Sequence, residues 1–460
     1  MKNSERTRMP TRLPFVPHPS RRQRQPLAAL AAAALIGLGL QGTAAAQSLQ
    51  ELYDAAVSYD ATYLGARAQA ASAEFRAAQV EALARPSVVA TASANTVQTD
   101  PPAVGIRGAD SAQGALSARY PLINRANKLS IEQARKSLET AQADLASAEQ
   151  DLIIRISQAY FDVLAAQDAL ATTRASKSFI TEQLASAKRN FEVGTATITD
   201  TREAQARFDL GTAQEIAAEN DLRTKQIALD QLVGRPGVTP KTLLVPVVLP
   251  NAAPANPEEW VTVADTQHPS VRRARVALEV AQLETGKARA GELPTLDAVG
   301  TLGSAYNRGT AVFAPGTTST ASLGLQMTWP LYTGGATQNR IKETLLLEER
   351  SRNDVEVSRR SVAQATRVAY FGVQSGLAQV RALEAAEVSS KLALEATQLG
   401  YRVGVRVNLD VLNSQAQLFT TQRDLARARY DVLVGSLRLR QASGQLAARD
   451  LQGINALLAR

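Results

Sequence analysis

Two long stretches of the chain carry a helical pattern. From Ile123 to Val193 there is no Pro and no Gly, and Ala, Leu, Gln, Glu, Lys and Arg dominate. These residue types have high helix propensity. Leucines recur every seven residues at Leu138, Leu145 and Leu152, and the small residues Ala141 and Ala148 lie between them on the same helix face. Coiled-coil spacing over about 70 residues predicts a rod-like helix roughly 100 Å long.

A second rod is predicted over residues 336–399, although Gly372 and Gly376 interrupt its helical run. The rods end at Gly194 and Gly404, and glycine readily supplies the left-handed residue at a helix end. A second helix follows each of these glycines, over residues 199–232 and 409–442. Each rod and its following helix are therefore predicted to form a helical hairpin.

Ahead of each rod the apolar pattern changes from helical to alternating. Apolar residues occupy every second position of 323–329, and 115–120 does the same less strongly. Their predicted partner strands are Ser87–Val97 and Thr295–Tyr306, separated from them by polar loops near 98–112 and 307–319. Strands of about 10 to 12 residues suit a tilted crossing of a membrane. Single shorter helices are predicted before the strand pairs, over 49–84 and 257–292.

Aromatic residues mark the ends of the strands that lead into the rods. Tyr120 and Trp329 occupy these positions. Membrane β-barrels carry girdles of aromatic side chains at both interfaces with water. We therefore interpret Tyr120 and Trp329 as interfacial aromatics.

The chain repeats itself at an offset of about 210 residues. The matching pairs are 120–122 with 329–331, 159–161 with 369–371, 191–194 with 401–404, Asp200 with Asp410, 205–206 with 415–416, and 231–234 with 441–444. Several pairs in one register indicate one supersecondary unit used twice. The fold class predicted is α+β, mostly α, with two tandem repeats of helix, strand pair and long helical hairpin.

The repeats divide the chain into five parts. They are a signal peptide (1–46), repeat 1 (47–235), a linker with six prolines (236–257), repeat 2 (258–445) and a C-terminal tail (446–460). A basic segment, an apolar run from Leu27 to Leu40 and a small-residue site at Ala44–Ala46 are typical of a cleaved export signal. The alternative is an uncleaved anchor.

Removing the leader changes the charge of the protein. Seven Lys or Arg and one acidic residue in positions 1–26 give the leader +6 of the chain's formal +8. The mature chain is thus near neutral, and its basic pI gives no reason to expect a nucleic-acid partner.

Few residues are available for chemistry. The chain has no Cys, and His268 is the single His after the leader. We interpret His268 as a solvated loop residue. No nucleophile–base pair, metal cluster or phosphate loop is apparent, so no catalytic, cofactor or metal site is predicted and the chain is not expected to be an enzyme.

The number of strands constrains the assembly. Two strands per repeat give four per chain, and an open sheet edge in lipid leaves backbone groups unpaired at several kcal/mol each. Three chains would supply twelve strands, enough for a barrel with a lumen. Their pooled helices would then form an α-helical tunnel continuous with it. The alternatives are a soluble sheet attached to a coiled coil, or a coiled-coil surface fibre.

The order of elements and four motifs resemble the trimeric outer-membrane factor, or TolC-like, family. The motifs are the strand-end segments 120–122 and 329–335 and the hairpin segments 191–200 and 401–413. The resemblance covers essentially residues 48–445. It implies an outer-membrane exit duct, with its helical part in the periplasm, that works with a periplasmic adaptor and an inner-membrane ABC or proton-driven transporter.

The resemblance also implies a gate at the periplasmic end. Tyr401 and Arg406 match positions that link the second hairpin to an acid on the first, which corresponds to Asp200. Asp410 matches an acidic ring at the constriction, and Asn413 stands where the family has a second one. From the sequence alone, Asp200 and Asp410 could equally be acids stabilised by the dipole of a helix N-terminus, and Arg406 an exposed hairpin residue.

The cargo is less defined than the architecture. Family members export whole unfolded proteins through an ABC transporter, called type I secretion, or small molecules through efflux pumps. The leader has no Cys for attachment of lipid, which favours the secretion branch. Type I secretion is therefore the expected function, with multidrug efflux as the alternative.

Overall fold

A computed structural model describes residues 46–99, 107–244, 246–308 and 315–459. The predicted leader therefore lies outside the described residues, apart from Ala46. Parts of the two predicted loops between strands also lie outside them.

The chain folds as two copies of one unit. Repeat 1 consists of α1 (Leu49–Tyr59), α2 (Ala61–Glu81), β1 (Ser87–Thr99), β2 (Arg107–Ile123), α3 (Arg125–Glu192) and α4 (Ile198–Val233). Repeat 2 consists of α5 (Pro257–Gln267), α6 (Pro269–Ala290), β3 (Thr295–Asn307), β4 (Gly316–Thr328), α7 (Ala336–Arg402) and α8 (Asn408–Ala442). A short α9 (Asp450–Asn455) follows. The prediction of a mostly helical, doubled α+β fold is confirmed.

The two rods are the longest elements of the fold. Helix α3 has 68 residues and α7 has 67, about 100 Å each. Gly372 and Gly376 lie inside α7 without breaking it, so the prediction of one continuous rod over 336–399 is confirmed. A Cβ added at Gly376 would lie 2.9 Å from Cγ2 of Val432 on α8. Gly376 thus admits close packing of the two helices.

None of the helices in the described part of the chain is both long and apolar enough to cross a lipid bilayer.

The single short helix predicted before each strand pair is in fact two helices. Asp60 separates α1 from α2. Its carboxylate accepts a hydrogen bond from the Tyr63 N–H at 2.7 Å and forms an ion pair with Arg155 at 2.8 Å. His268 separates α5 from α6, and its Nδ1 accepts from the Ser270 N–H at 3.1 Å. An N-cap side chain satisfies donors that a continuous helix would bond internally.

The interpretation of His268 as a solvated loop residue was therefore wrong. Its side chain caps α6, and burial lowers the pKa of the imidazole. Its backbone lies against Gly444, where an added Cβ would come within 2.6 Å of the His268 Cα.

The four strands form one antiparallel sheet in the order β1-β2-β3-β4. The β2–β3 pair joins the two repeats, while β1 and β4 each have one neighbour in the chain. The strands extend further than predicted, since β2 begins at Arg107 and β4 at Gly316. Their Ser-, Thr- and Gly-rich ends have the composition of loops, but antiparallel pairing satisfies their backbone groups.

The pairing register gives the sheet two different faces, because residues directly opposite each other share a face. One face is apolar and includes Leu116, Tyr120, Leu302, Leu323, Leu325 and Met327. The other face is mostly small or polar and includes Ser93, Asn95, Gln113, Ser117, Thr301, Ser322 and Gln326, with Val89 and Val299 among them. This alternation is what a strand between lipid and water requires.

The largest apolar core lies midway along the helices. Tyr160 and Phe161 of α3 are at most 1% exposed and pack with side chains of α1, α8 and α9. The Tyr160 hydroxyl donates to the carbonyls of Gln47 and Lys241, at 3.2 and 2.9 Å. The start of repeat 1 and the linker are thus tied to the middle of the first rod.

We predict opposite effects of alanine at the two glycines of α7. Gly376→Ala forces a methyl against the stiff, buried Val432, and overpacking of this kind costs about 1–3 kcal/mol. Gly372→Ala meets no atom within 4 Å and gains about 0.8–1 kcal/mol of helix propensity. The thermal midpoint by circular dichroism should fall in the first variant and not in the second. Equal midpoints would show that α7 and α8 pack less closely than described.

Candidate functional site: the hairpin ends

The two hairpin turns share one backbone conformation. Gly194 and Gly404 have φ of +76° and +81°. In the first turn the N–H groups of Thr195 and Ala196 donate to the carbonyl of Asn190, and in the second those of Val405 and Arg406 donate to that of Gly400. In each turn, two N–H groups thus donate to a carbonyl in the last turn of the rod, where backbone carbonyls have no partner within the helix. Any side chain other than glycine would strain a backbone with positive φ.

Asp200 completes a capping box at the start of α4. Its carboxylate accepts the Thr197 N–H at 3.0 Å, and its own N–H donates to the Thr197 hydroxyl oxygen at 3.2 Å. The Thr197 hydroxyl also lies 2.7 Å from the same carboxylate oxygen. Within one chain, Asp200 therefore serves its own helix end.

Arg406 and Asp410 form an ion pair on the second hairpin. The Nη1 of Arg406 lies 3.6 Å from Oδ2 of Asp410, one helical turn away. The stem of Arg406 folds over Gly400, where an added Cβ would lie 2.9 Å from its Cγ. The absence of a side chain at Gly400 thus leaves room for Arg406 to lie along α7.

Tyr401 joins the two hairpins of the chain. Its hydroxyl lies 3.3 Å from Nδ2 of Asn190, the donor, near the end of α3. Its ring packs on the cluster of Leu394, Val411 and Leu418, to which Phe179 of α3 also belongs. An apolar contact and a polar contact therefore hold α7 and α8 against the first rod.

Asn413 makes a second polar link between hairpins. Its Oδ1 accepts from Nη2 of Arg207 on α4 at 3.0 Å. The Asn413 amide, which stands where the family has an acid, thus joins the two hairpins of one chain through a hydrogen bond.

The predicted gate residues lie at one end of the molecule but do not all touch. Arg406 and Asp410 pair on the second hairpin and Tyr401 contacts Asn190 of the first, whereas Asp200 contacts Thr197 and neither Tyr401 nor Arg406 among the contacts of the described chain. Any link from Tyr401 or Arg406 to Asp200 would have to join two chains, and it stays a prediction.

Three residues of this region were missed by reasoning from the sequence: Asn190, Arg207 and Gly400. Asn190 and Gly400 occupy equivalent positions 210 residues apart, so the repeat itself carried that signal. Nothing local marked Arg207 as the partner of Asn413, because the contact depends on how α4 and α8 lie side by side.

The two aromatic residues that the sequence predicts to be interfacial lie near the helix-side end of the sheet. Tyr120 is 43% exposed on the apolar face, three residues before β2 ends. Trp329 is 55% exposed directly after β4, and its Nε1 donates to the Glu292 carbonyl at 3.2 Å. An exposed aromatic ring with a satisfied polar atom is suited to a membrane interface.

Further from the turns, α8 runs antiparallel to α3 and is tied to it by polar contacts. Gln441 donates to Asp151 at 2.7 Å, and Tyr430 donates to Asp168 at 2.6 Å. The Tyr430 ring also stacks on Phe161, with centroids 5.6 Å apart. Burial raises the pKa of the Asp168 carboxyl, and the hydrogen bond from Tyr430 partly opposes this rise.

In the described ranges, no group of three or more His, Cys, Asp or Glu side chains is placed to hold a metal ion.

The doubled strand pairs, the long helical hairpins and the two-faced open sheet define a class of outer-membrane channel proteins. The chain belongs to the family described as outer membrane efflux protein, whose model matches residues 44–235 and 260–445. It is thus an outer-membrane protein with its helical portion in the periplasm.

Individual relatives agree with this assignment. The outer membrane protein TolC of Vibrio cholerae is 32% identical over 417 residues, which are 89% of this chain and 94% of the relative. The alkaline protease secretion protein AprF of Pseudomonas aeruginosa is 33% identical over 75% of this chain and 72% of its own.

Solved structures show the same fold. The outer membrane protein VceC of Vibrio cholerae superposes with a TM-score of 0.74 at 19% identity, covering 86% of this chain and 96% of that one. The CmeC channel of Campylobacter jejuni gives 0.74 at 16% identity, covering 89% and 90%.

We predict a pH-dependent cost for removing the Tyr430 hydroxyl. Because the folded pKa of Asp168 is raised, its contribution to stability is present below the unfolded pKa of about 3.9 and is lost as pH rises through the folded value. Tyr430→Phe removes a donor to the carboxylate, so it should cost about 1.5–3 kcal/mol at neutral pH and less near pH 4. Thermal midpoints measured at both pH values test this. Tyr332→Phe, which alters an exposed hydroxyl, is the control, and a cost independent of pH would contradict the assignment.

Proposed function

We propose that three copies of this chain close one twelve-stranded barrel and form the passive exit duct of a tripartite export system. The observation that carries the proposal is the open sheet: β1 and β4 leave unpaired edges, while the apolar face is suited to lipid. A lipid-facing sheet has to be closed. With four strands per chain, three chains supply the twelve strands of one closed barrel.

The assembly is testable by mass. Detergent-extracted protein should measure as three chains by native mass spectrometry or light scattering, because an isolated chain would expose both sheet edges. A stable, folded monomer under the same conditions would contradict the proposal.

The proposed cargo is protein, carried by type I secretion. Two relatives support this choice by their descriptions: AprF, and the proteases secretion protein PrtF of Dickeya chrysanthemi at 28% identity. The alternative, small-molecule efflux, is supported by the outer membrane efflux protein BepC of Brucella suis at 29% and the solvent efflux pump protein SrpC of Pseudomonas putida at 26%. In either case the duct itself catalyses no reaction and receives cargo from a periplasmic adaptor and an inner-membrane transporter.

Deleting the gene separates the two cargo classes. Loss of specific proteins from the culture medium, with unchanged sensitivity to drugs and solvents, supports type I secretion. Increased sensitivity with a normal set of secreted proteins supports efflux. Restoring the gene on a plasmid should reverse either phenotype.

We further propose that the two hairpin ends form the closed periplasmic gate. In the trimer, Tyr401 and Arg406 would hold the second hairpin, with Asp200 on a neighbouring first hairpin as the acceptor. The contacts of Tyr401 with Asn190 and of Arg406 with Asp410 support a second hairpin that is held in place by polar side chains.

The gate predicts a conductance phenotype. Tyr401→Phe combined with Arg406→Ser should raise single-channel conductance in a planar bilayer, because all three chains lose their links at once. Tyr401→Phe combined with Arg402→Ser, which removes the exposed Arg402 at the end of the same helix, is the matched control. Unchanged conductance in intact trimers of the first variant would return these residues to a role in the hairpin alone.

Asp410 predicts a separate effect on cation block. Asp410→Ala should weaken block by multivalent cations, since it removes the single acidic ring expected at the constriction. Asn413→Asp should strengthen the block, because it adds a second ring one turn away. Block that responds to neither substitution would place both side chains away from the pore.

A further inference from the structure

One ion pair lies on the polar face of the sheet. Nη2 of Arg119 on β2 lies 2.5 Å from Oδ2 of Asp297 on β3. Among the side chains of this face that the structure describes, Arg119 and Asp297 are the charged ones. The pair joins the strands of the two repeats where β2 has an irregular register between Pro121 and Ile123.

The two partners are not equally accessible. The Arg119 side chain is 65% exposed, whereas that of Asp297 is 5% exposed. The second carboxylate oxygen of Asp297 is buried and has no hydrogen-bond partner in the described chain. The pair therefore presents its guanidinium to solvent and keeps its carboxylate within the wall.

The position of Arg119 along the sheet is also defined. It is four residues before β2 ends and six before α3 begins. Its neighbour Tyr120 lies on the apolar face at the same level. Because successive strand residues point to opposite faces, Arg119 lies on the polar face at the depth of the interfacial aromatics.

We propose that Arg119 forms a ring of three cationic side chains inside the barrel, at its junction with the helical tunnel, and that this ring contacts anionic groups of the passing cargo. The proposal rests on the trimeric duct proposed above. The apolar face of the sheet must face lipid, so the polar face with Arg119 lines the lumen. Asp297 holds each guanidinium in place, because an Arg–carboxylate hydrogen bond fixes geometry as well as charge.

Each Arg119–Asp297 pair is neutral as a whole but turns its positive end to solvent, so the surface that cargo meets has the opposite sign to the acidic ring proposed at the gate. Carboxylates at Asp410 favour cations at the periplasmic entrance, whereas guanidinium groups at Arg119 favour anions where the tunnel opens into the barrel. A cargo with both kinds of charge would thus meet the two fields in sequence. Arg119 is in this sense a determinant of which segments of a cargo are held at the junction.

Thiol labelling measures the field directly, because the chain contains no Cys. Ser117→Cys places a thiol on the same face, two residues and roughly 7 Å from Arg119. The rates at which an anionic and a cationic methanethiosulfonate reagent modify it in the purified trimer report the local potential, once divided by their rates with a free thiol. Low ionic strength, about 0.01 M, keeps the Debye length near 30 Å.

Arg119 should set the ratio of the two rates. Coulomb's law in water gives about a twofold enrichment of an anion, and the reverse for a cation, at roughly 10 Å from one unit charge. Adding Arg119→Gln should therefore lower the anionic-to-cationic rate ratio at least about fourfold, and Arg119→Lys should preserve it. Because Arg119→Gln leaves a buried carboxylate uncompensated, the neutral pair Arg119→Gln with Asp297→Asn is the variant of choice if the single variant fails to assemble. Its ratio should fall between those of the parent and the single variant.

The outcomes separate this inference from the duct itself. If Ser117→Cys reacts but its rate ratio is the same with and without Arg119, the ion pair is a structural clamp and the inference is overturned. If Ser117→Cys resists both reagents while Leu325→Cys on the apolar face reacts, the faces are reversed and the proposed duct fails. Reaction at Ser117→Cys alone, with a ratio that depends on Arg119, supports both.

Discussion

Backbone hydrogen bonding at the two edges of a four-stranded sheet is the constraint on which the rest of the structure depends. The sheet pairs β2 with β3, so the repeats are joined at its centre, and in the described part of the chain β1 and β4 each have one edge without a partner strand. An apolar face excludes water as the partner of those edges. In the proposed trimer these edges pair with those of other chains, and the helices surround a lumen that no single copy encloses.

The helical part solves a different problem, which is how to hold rods of about 100 Å together along their length. A single central core around Tyr160 and Phe161 fixes the middle. Towards the hairpin ends the apolar clusters are small, and polar contacts join the hairpins instead. Tyr401 with Asn190 and Asn413 with Arg207 are examples. Contacts of this kind are directional and few, so this end can rearrange at lower cost than the middle.

The charged residues to which the proposals assign a place in the duct lie at two levels. Arg406 and Asp410 lie at the hairpins, and Arg119 with Asp297 at the helix-side end of the sheet. The other side chains on the polar face of the sheet are mostly small and neutral, such as Ser117 and Thr301. A barrel lumen lined in this way offers cargo water and hydrogen bonds, with the Arg119–Asp297 pairs as its charged contacts.

The sequence by itself determined the repeat, the rods, the turns and the existence of four strands. Periodicity and the exclusion of Pro and Gly are local properties, and helices of this length follow from them. It did not determine the break at Asp60, whose capping carboxylate is held by Arg155 from another helix. Nor could it show that Gly376 is a packing site rather than a break, since that depends on Val432 of another helix. The break at His268 did have a local signal, Pro269, which the prediction of one helix over 257–292 overlooked. The full length of the strands and the partners of Tyr401 and Asn413 were decided by the tertiary structure alone, whereas Thr197, the partner of Asp200, lies three residues away in the same capping box. Pairing across strands and helices joins residues far apart in the chain, and no local pattern specifies which ones meet.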